Sequence, residues 1–229
     1  MRKFRFLDSL TVGFVAVLLI SNLVGPKISV IPWAPLSWLR ISAAEFFFPL
    51  TYICGDVFTE VYGYGASRRA IWLGFFSMAA LSLLGALAVW LPAAPEWHVQ
   101  QAFAKVFAVV PRFALASLIA YWCGEFTNSY TLAKLKLFTN GKWLWTRTIG
   151  STITGQAVDT AVIIVIAFVG TQTWPMLGRM IISSYLIKVS VEVLATPFTY
   201  AVVRFLKRVE RIDAYDRTTN FNPFAVVES

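Results

Sequence analysis

The chain has 229 residues, of which 58% are hydrophobic, 16% aromatic and 14% charged, and its formal net charge is +8. A soluble domain carries roughly 25% charged residues, so this composition excludes an ordinary soluble protein. Apolar runs instead recur at about the 20 residues that a helix needs to cross ~30 Å of hydrocarbon. We therefore predict an all-α, polytopic transmembrane helical bundle, with one membrane domain over residues 1–211 and a cytoplasmic tail over residues 212–229.

Six transmembrane helices are predicted in chain order. Their approximate ranges are 8–26, 42–64, 70–92, 107–135, 148–170 and 176–206. No small-residue cleavage pattern follows the first of them, so we expect it to be retained and not removed as a signal peptide. Gly63 and Gly65 mark the end of the second helix, where a left-handed residue often closes the last turn, and Ser67 is a candidate N-cap for the third. The tail from residue 212 onward is polar, and we expect it to be loose.

The distribution of basic residues predicts the orientation of these helices. With both termini in the cytoplasm, fourteen of the 20 Lys and Arg residues fall on the inner side, five on the outer side and one, Lys188, within a span. This bias favours cytoplasmic termini. We expect Arg68 and Arg69 to contribute only to this orientation. Because the basic residues are spread over every inner loop and form no single face, we expect contact with an anionic lipid bilayer and not with nucleic acid.

The sequence gives no support for an enzyme. Cys54 and Cys123 both fall within spans, which argues against a secreted disulfide framework. The single histidine lies in a loop, so the spans lack the residues for zinc or Ser–His chemistry. Asp56 and Asp159 lie in unlike contexts, and neither follows the Gly-x-Gly that marks an intramembrane aspartyl protease. We therefore expect no enzymatic activity and no metal or other cofactor.

Polar residues interrupt four of the predicted spans, and on each helix their spacing confines them to one face. They are Asp56 and Glu60 in the second span, Tyr121, Glu125 and Asn128 in the fourth, Gln156 and Asp159 in the fifth, and Tyr185, Lys188 and Glu192 in the sixth. A charged residue at mid-membrane costs ~3 kcal/mol or more, so these groups should face the bundle interior. Lys188 could pair with Glu192 in its own helix or bridge to an acid of another.

The balance of charge distinguishes two readings of this pattern. Among these residues five acids accompany one lysine, and Arg147 lies at the inner end of the fifth helix, so at least three carboxylates should lack a cationic partner. If the groups served only to lock the bundle, the charges should balance, and we therefore favour a central polar site. Its acceptors and donors, with the flat rings of Tyr121, Tyr185 and Phe58, suit a planar, donor-rich molecule such as a purine-like base. Buried carboxylates could also bind and release protons and so couple uptake to a proton gradient.

Four segments carry a resemblance to a known family. They are "FFFPLTYICGDVFTEVYGYGASRRAIWLGF", "GEFTNSYTLAKLK", "LWTRTIGSTITGQAVDT" and "KVSVEVLATPFTYAVVRFLKRVERIDAYD". In this order they resemble the bacterial queuosine-precursor transporter family, also grouped as a vitamin uptake transporter family. The corresponding motif residues are Asp56, Glu60, Val61, Tyr62 and Gly63; Gly124, Glu125, Asn128 and Ser129; Gly150, Ser151, Gly155, Gln156 and Asp159; and Lys188, Glu192, Thr196 and Pro197.

The resemblance implies a six-helix protein of the bacterial inner membrane that imports 7-deazaguanine bases, in the cyano or the aminomethyl form. It implies no enzymatic activity, and a fold related to the substrate-binding components of energy-coupling vitamin transporters. The alternative is therefore a substrate-capture component of such a multi-subunit transporter. The expected partners are the small base and the lipid bilayer, and a homodimer is left open. Among the acids, the resemblance does not distinguish which one contacts the base.

Overall fold

The computed structural model describes residues 4–24, 27–30, 40–107, 111–170 and 172–224, without the side chains of residues 28–30, 40–42, 45, 48 and 111–114. This part of the chain forms seven α-helices and one antiparallel pair of three-residue strands. The elements are α1 (Leu7–Val24), β1 (Ile28–Val30), β2 (Arg40–Ser42), α2 (Phe48–Val57), α3 (Tyr64–Trp90), α4 (Gln100–Phe107), α5 (Pro111–Phe138), α6 (Leu144–Phe168) and α7 (Trp174–Glu210). Residues 25–26 and 108–110 of the predicted spans, and 225–229 of the predicted tail, lie outside the described residues.

The second predicted span is divided into three pieces. A 3₁₀ turn (Ala43–Phe46) precedes α2, and a π-helical turn (Phe58–Tyr62) follows it. Gly63 then adopts φ 89°, a conformation that favours glycine, and joins this turn to α3. The predicted break at Gly63 is confirmed, but the predicted helix end at Gly65 and the predicted cap at Ser67 are wrong. Because α3 already begins at Tyr64, Ser67 lies inside the helix, and its hydroxyl is 2.7 Å from that of Ser129 on α5.

Four helices in the described part of the chain are long and apolar enough to cross a membrane, judged by length and composition: α1, α3, α6 and α7. Helix α5 has 28 residues but carries the polar stretch 125–129, and α2 has only 10 residues. The outer surface of the bundle is apolar: Leu83 and Leu194, for example, are 72% and 80% exposed. Such side chains suit contact with lipid rather than water.

One end of the bundle gathers the starts of α1, α3 and α6 and the ends of α5 and α7; we call it the Glu60 end. The backbone N–H groups of Arg5 and Phe6 donate to the Glu210 carboxylate at 3.0 and 2.7 Å, so the described beginning of the chain lies beside the end of α7. The hydrophobic core lies between α1, α2, α3, α5 and the last turns of α7. Phe58, which we predicted as a flat wall of the site, packs edge-to-face on Phe14 at 5.7 Å in this core.

Residues 212–224, here called the C-terminal segment, are packed against the bundle, and the prediction of a loose tail is wrong for them. Three residues of α3 donate N–H groups to this segment. The bonds are Tyr64 N to both Asp216 carboxylate oxygens at 3.1 Å, Arg68 Nη1 to the carbonyls of Asn220 and Asn222 at 2.9 and 3.2 Å, and Trp72 Nε1 to the carbonyl of Pro223 at 2.8 Å. Arg68 is only 5% exposed. It therefore holds the C-terminal segment, a role beyond the orientation we predicted for it.

Candidate functional site

Two glycines bring α5 and α6 into close contact. A Cβ atom added at Gly124 would lie 2.7 Å from the Cβ of Asp159, and one added at Gly155 would lie 2.7 Å from the Cβ of Asn128. Real Cβ atoms do not approach so closely, so the helices can cross at this distance only because both residues are glycine. Small residues permit such crossings between membrane helices. The crossing places Glu125 and Asn128 on α5 at the level of Gln156 and Asp159 on α6.

Helix α2 packs on the same face of α5. Asn128 Nδ2 donates a 3.1 Å hydrogen bond to Asp56 Oδ1. Glu125 Oε2 lies only 3.0 Å from the position that a Cβ on Gly55 would occupy, so the absence of a side chain there gives room for the carboxylate. Asp56, Glu125 and Asn128 are each at most 5% exposed.

Helix α7 completes the group from the other side of α6. Glu192 accepts hydrogen bonds from Thr152 Oγ1 at 2.6 Å and from Gln156 Nε2 at 3.4 Å. The Tyr52 hydroxyl of α2 donates to Gln156 Oε1 at 3.3 Å. The Lys188–Asp159 ion pair, whose Nζ–Oδ2 distance is 2.7 Å, also links α7 to α6. With the Asn128–Asp56 hydrogen bond, these contacts join the four helices α2, α5, α6 and α7. We call the group the central polar cluster: Tyr52, Asp56, Glu125, Asn128, Thr152, Gln156, Asp159, Lys188 and Glu192.

The cluster contains more acid than its cations match. Within the described residues, no Lys or Arg nitrogen lies within 4.0 Å of the carboxylates of Asp56, Glu125 or Glu192. The predicted surplus of three unpaired acids is therefore found there. Glu125 Oε2 and Asn128 Oδ1 are buried acceptors without a hydrogen-bond partner. Leaving a buried polar group unsatisfied costs about 1–3 kcal/mol, so both atoms favour a ligand with N–H donors.

Glu60 lies in a different environment, a buried ion cluster with Lys136, Arg147, Lys207 and Asp213. The Arg147 guanidinium binds both Glu60 oxygens, with Nη2–Oε1 at 2.7 Å and Nε–Oε2 at 3.2 Å. Lys207 Nζ is 2.5 Å and Lys136 Nζ 3.5 Å from Oε1. We predicted that Glu60 shares the face of Asp56, but the π-helical turn begins between them at Phe58. Consequently the Glu60 carboxylate meets cations of α5, α6 and α7 and not the central polar cluster.

Asp213 links this ion cluster to the C-terminal segment. Its Oδ1 is 2.6 Å from Lys136 Nζ and 2.8 Å from Lys207 Nζ. Burial acts to raise the pKa of Asp213, but the hydrogen bonds and charges of the two lysines outweigh burial and hold that pKa below its usual range. The ion cluster thus contains three cations and two acids, all of them engaged.

Comparison with known proteins identifies the family. A family model described as "Putative vitamin uptake transporter" matches residues 42–202, which is most of the chain. The chain belongs to this family. It is 28% identical over 187 residues to a "Probable queuosine precursor transporter" of Bacillus subtilis (strain 168), a match that covers 81% of each chain. No solved structure matches the chain.

As a member of the vitamin uptake transporter family with several apolar helices, the protein is a multi-pass bacterial membrane protein. The family is one of transporters and not of enzymes. Its matched range contains the whole central polar cluster together with Glu60, Lys136 and Arg147, whereas Lys207 and the C-terminal segment lie beyond it. Among the described residues, no three His, Cys, Asp or Glu side chains are arranged to hold a metal ion.

Two predicted site residues of this transporter lie at the margins of the cluster. The Tyr121 hydroxyl donates to the Ile71 carbonyl of α3 at 3.3 Å, and its ring is part of the hydrophobic core. The Tyr185 hydroxyl donates to the Ile153 carbonyl at 3.3 Å, on an exposed side of α6. The structure therefore does not bring Tyr185 to the unpaired carboxylates.

The structure also adds residues that the prediction of site residues omitted. Tyr52 and Thr152 bond directly to cluster members, and Thr160 is fully buried on α6 with an unpartnered hydroxyl. The sequence carried a signal for them, because Thr152, Gln156 and Thr160 follow one another at four-residue spacing, the period of one helix face. A polar residue at each step of an otherwise apolar helix indicates that the whole face is buried against protein.

Proposed function

We propose that the protein imports 7-deazaguanine bases, the precursors of queuosine, and that the base binds in the central polar cluster. The observation that carries the proposal is the pair of unpartnered, buried acceptors Glu125 Oε2 and Asn128 Oδ1. They lie three residues apart on one face of α5. A guanine-type edge presents adjacent N–H donors, which a carboxylate and a neighbouring amide oxygen can accept. The name of the Bacillus subtilis relative supports the same substrate class.

In this proposal, other members of the central polar cluster bind the remaining polar groups of the base. The Tyr52 hydroxyl and the Gln156 amide are donors suited to its carbonyl oxygen. Asp56 and Glu192, which have no Lys or Arg partner among the described residues, suit the aminomethyl cation of the amine-bearing form. Because both acids are at most 6% exposed, the base reaches them only when helices of the bundle separate. Binding and conformational change are therefore coupled in this proposal.

The membrane arrangement belongs to the same proposal. Six crossings are made by α1, α2 with its flanking turns, α3, α5, α6 and α7, and α4 lies at the outer surface. The Glu60 end faces the cytoplasm, since the described basic residues near the starts of α3 and α6 and the ends of α5 and α7 collect there. Residues 1–211 then form a single membrane domain and residues 212–229 lie on its cytoplasmic side.

The experiment that tests the site is uptake of a radiolabelled 7-deazaguanine, in the cyano and the aminomethyl form, by proteoliposomes that contain this chain alone. Loss of one hydrogen bond to a charged group costs about 1.5–3 kcal/mol, so Glu125→Gln should reduce uptake about 10- to 150-fold. Glu96→Gln, in an exposed loop, is the matched control and should leave uptake unchanged. Normal uptake by Glu125→Gln would refute the site. Binding without uptake in wild type would instead identify a substrate-capture component that needs an energising partner.

We also propose that uptake of the base is coupled to proton transport. The three acids without a Lys or Arg partner in the described part of the chain, Asp56, Glu125 and Glu192, are candidates to carry a proton with the base. We expect uptake into proteoliposomes to accelerate when the outside is made acidic relative to the inside, and the acceleration to collapse when a protonophore is added. An uptake rate that is indifferent to the pH gradient would contradict coupling and leave facilitated diffusion.

A further inference from the structure

We infer that Glu60 is a gate residue rather than a ligand of the base, and that its ion cluster, fastened by the C-terminal segment, closes the path between the central polar cluster and the Glu60 end. The inference rests on the proposed function, because it assigns the gate to the path of the transported base. It concerns a different set of residues, and its test does not require the base.

The ion cluster joins the same helices that carry the central polar cluster. Glu60 follows α2 directly, and its partners Lys136, Arg147 and Lys207 belong to α5, α6 and α7. Glu60 is 0% exposed, and its backbone carbonyl also accepts a 2.6 Å hydrogen bond from Lys136 Nζ. A base that leaves the cluster toward the Glu60 end must pass between these helices. The ion pairs that hold them together must therefore separate first.

The residues between the two clusters show how short this path is. Glu60, within the π-helical turn, lies four positions after Asp56, and Ser151 lies four positions after Arg147 on α6. Ser151 is 0% exposed, lies one turn after Arg147 of the ion cluster, and directly precedes Thr152 of the central polar cluster. Because π-helical turns are frequent at functional sites, the turn at Phe58–Tyr62 is the natural place for Glu60 to move without unwinding α2.

The C-terminal segment fastens the gate from outside the bundle. Asp213 pairs with Lys136 and Lys207, and the Ala214 carbonyl accepts a third hydrogen bond from Lys136 Nζ at 2.6 Å. The Ala214 N–H donates to the Val61 carbonyl in the π-helical turn at 3.3 Å. The segment then continues along α3, where Arg68 and its neighbours hold it. Consequently α2, α5 and α7 cannot part at this end while the segment is docked.

The charges of the ion cluster predict the effect of removing Glu60. With Glu60 neutralised, three cations face one remaining acid, Asp213, and their mutual repulsion favours the open arrangement. Glu60→Gln should therefore shift the population toward a state open at the Glu60 end and impair turnover, while the affinity for the base changes little. A residue that touched the base would behave in the opposite way, with its main effect on affinity.

The test measures opening through a single cysteine. Ser151→Cys is introduced into a chain in which Cys54 and Cys123 are replaced by serine, and membranes are exposed at the Glu60 end to a water-soluble maleimide. Glu60→Gln should raise the labelling rate about fivefold or more, and Glu60→Asp should restore slow labelling. Asp213→Asn, at a half-exposed position, should also raise the labelling rate although Glu60 and its three cations are kept. Unchanged labelling in both Glu60→Gln and Asp213→Asn would overturn the gate.

Glu125→Gln separates this inference from the proposed function. It should weaken binding of the 7-deazaguanine, measured by equilibrium binding to detergent-solubilised protein, and leave the labelling of Ser151→Cys slow. Glu60→Gln should do the reverse, with fast labelling, a dissociation constant within about threefold of wild type and a maximal uptake rate reduced about tenfold. If Glu125→Gln binds the base normally, the proposed site fails while the gate still stands on labelling. If Glu60→Gln loses the base and labels slowly, Glu60 is a ligand and the gate fails.

Discussion

The crossing of α5 and α6 at Gly155 gives a quantitative prediction for the variant Gly155→Ala. The added Cβ would lie 2.7 Å from the Cβ of Asn128, whereas ordinary contacts begin at 3.4 Å. Backbone and Cβ atoms form the other side of the contact, so no flexible side chain can move away, and the helices must separate by roughly 0.7 Å. Overpacking of this kind costs about 1–3 kcal/mol, against which the better helix propensity of alanine returns at most about 1 kcal/mol.

Gly13→Ala is the matched control, because nothing lies within 4 Å of a Cβ at Gly13 on α1. It should gain about 1 kcal/mol from helix propensity alone. The two variants should therefore differ by about 2 kcal/mol in the free energy of unfolding, which corresponds to roughly 4–8 °C in Tm for a protein of this size. Thermal unfolding of the purified protein in detergent measures this difference.

Uptake should follow the same order as stability. Because Asn128 carries one of the two unpartnered acceptors, its displacement in Gly155→Ala should lower the uptake rate of the base as well. Gly13→Ala should transport like wild type. A Gly155→Ala protein that is as stable and as active as Gly13→Ala would show that the crossing is not constrained, and the geometry of the central polar cluster would lose its main support.

Three further predictions concern charged contacts. Lys188→Met should lower the free energy of unfolding by about 3 kcal/mol because it leaves the Asp159 charge unbalanced. Adding Asp159→Asn should recover part of that loss in the same unfolding assay. A double variant less stable than Lys188→Met would contradict the pairing. Arg68→Gln should release the C-terminal segment. Because hydrogen bonds to a charged group contribute about 1.5–3 kcal/mol, amide hydrogen exchange in the segment should accelerate about tenfold or more. Unchanged exchange would refute the docking role of Arg68. The pKa of Asp213 is lowered in the folded protein, so its contribution is present above its unfolded pKa of about 3.9 and is lost as the pH falls through the folded value. Exchange protection of residues 213–216 should accordingly decline below about pH 4, and Asp213→Asn should abolish that pH dependence.

Local sequence patterns predicted the positions of the long helices, but not α4 or the division of the second span. The first and fifth predicted spans, 8–26 and 148–170, correspond to α1 at Leu7–Val24 and α6 at Leu144–Phe168. The length of an apolar run is a local property, and glycine at the end of such a run imposes a local conformation, as Gly63 does.

Partners that are distant in sequence were harder to predict. Glu60 pairs with Lys207, which is 147 residues away, and counting charges by span left that lysine in a loop. The C-terminal segment looked loose because its composition is polar. Its carbonyl groups are nevertheless satisfied by side chains of α3 more than 150 residues earlier, such as Trp72, and composition carries no information about such donors.

The sequence by itself determined that the protein is a helical membrane protein with surplus acids on its buried helix faces, because hydrophobic length, helical period and charge count are properties of short stretches. It also determined the family, since the motifs follow one another in order along most of the chain. Only the tertiary structure decided which acids remain unpaired. Asp56 and Glu60 are four residues apart, yet one accepts an amide hydrogen bond from Asn128 and the other is surrounded by three cations. The physical reason is that the cost of a buried charge depends on its neighbours in space, and those neighbours are chosen by helix packing rather than by sequence position.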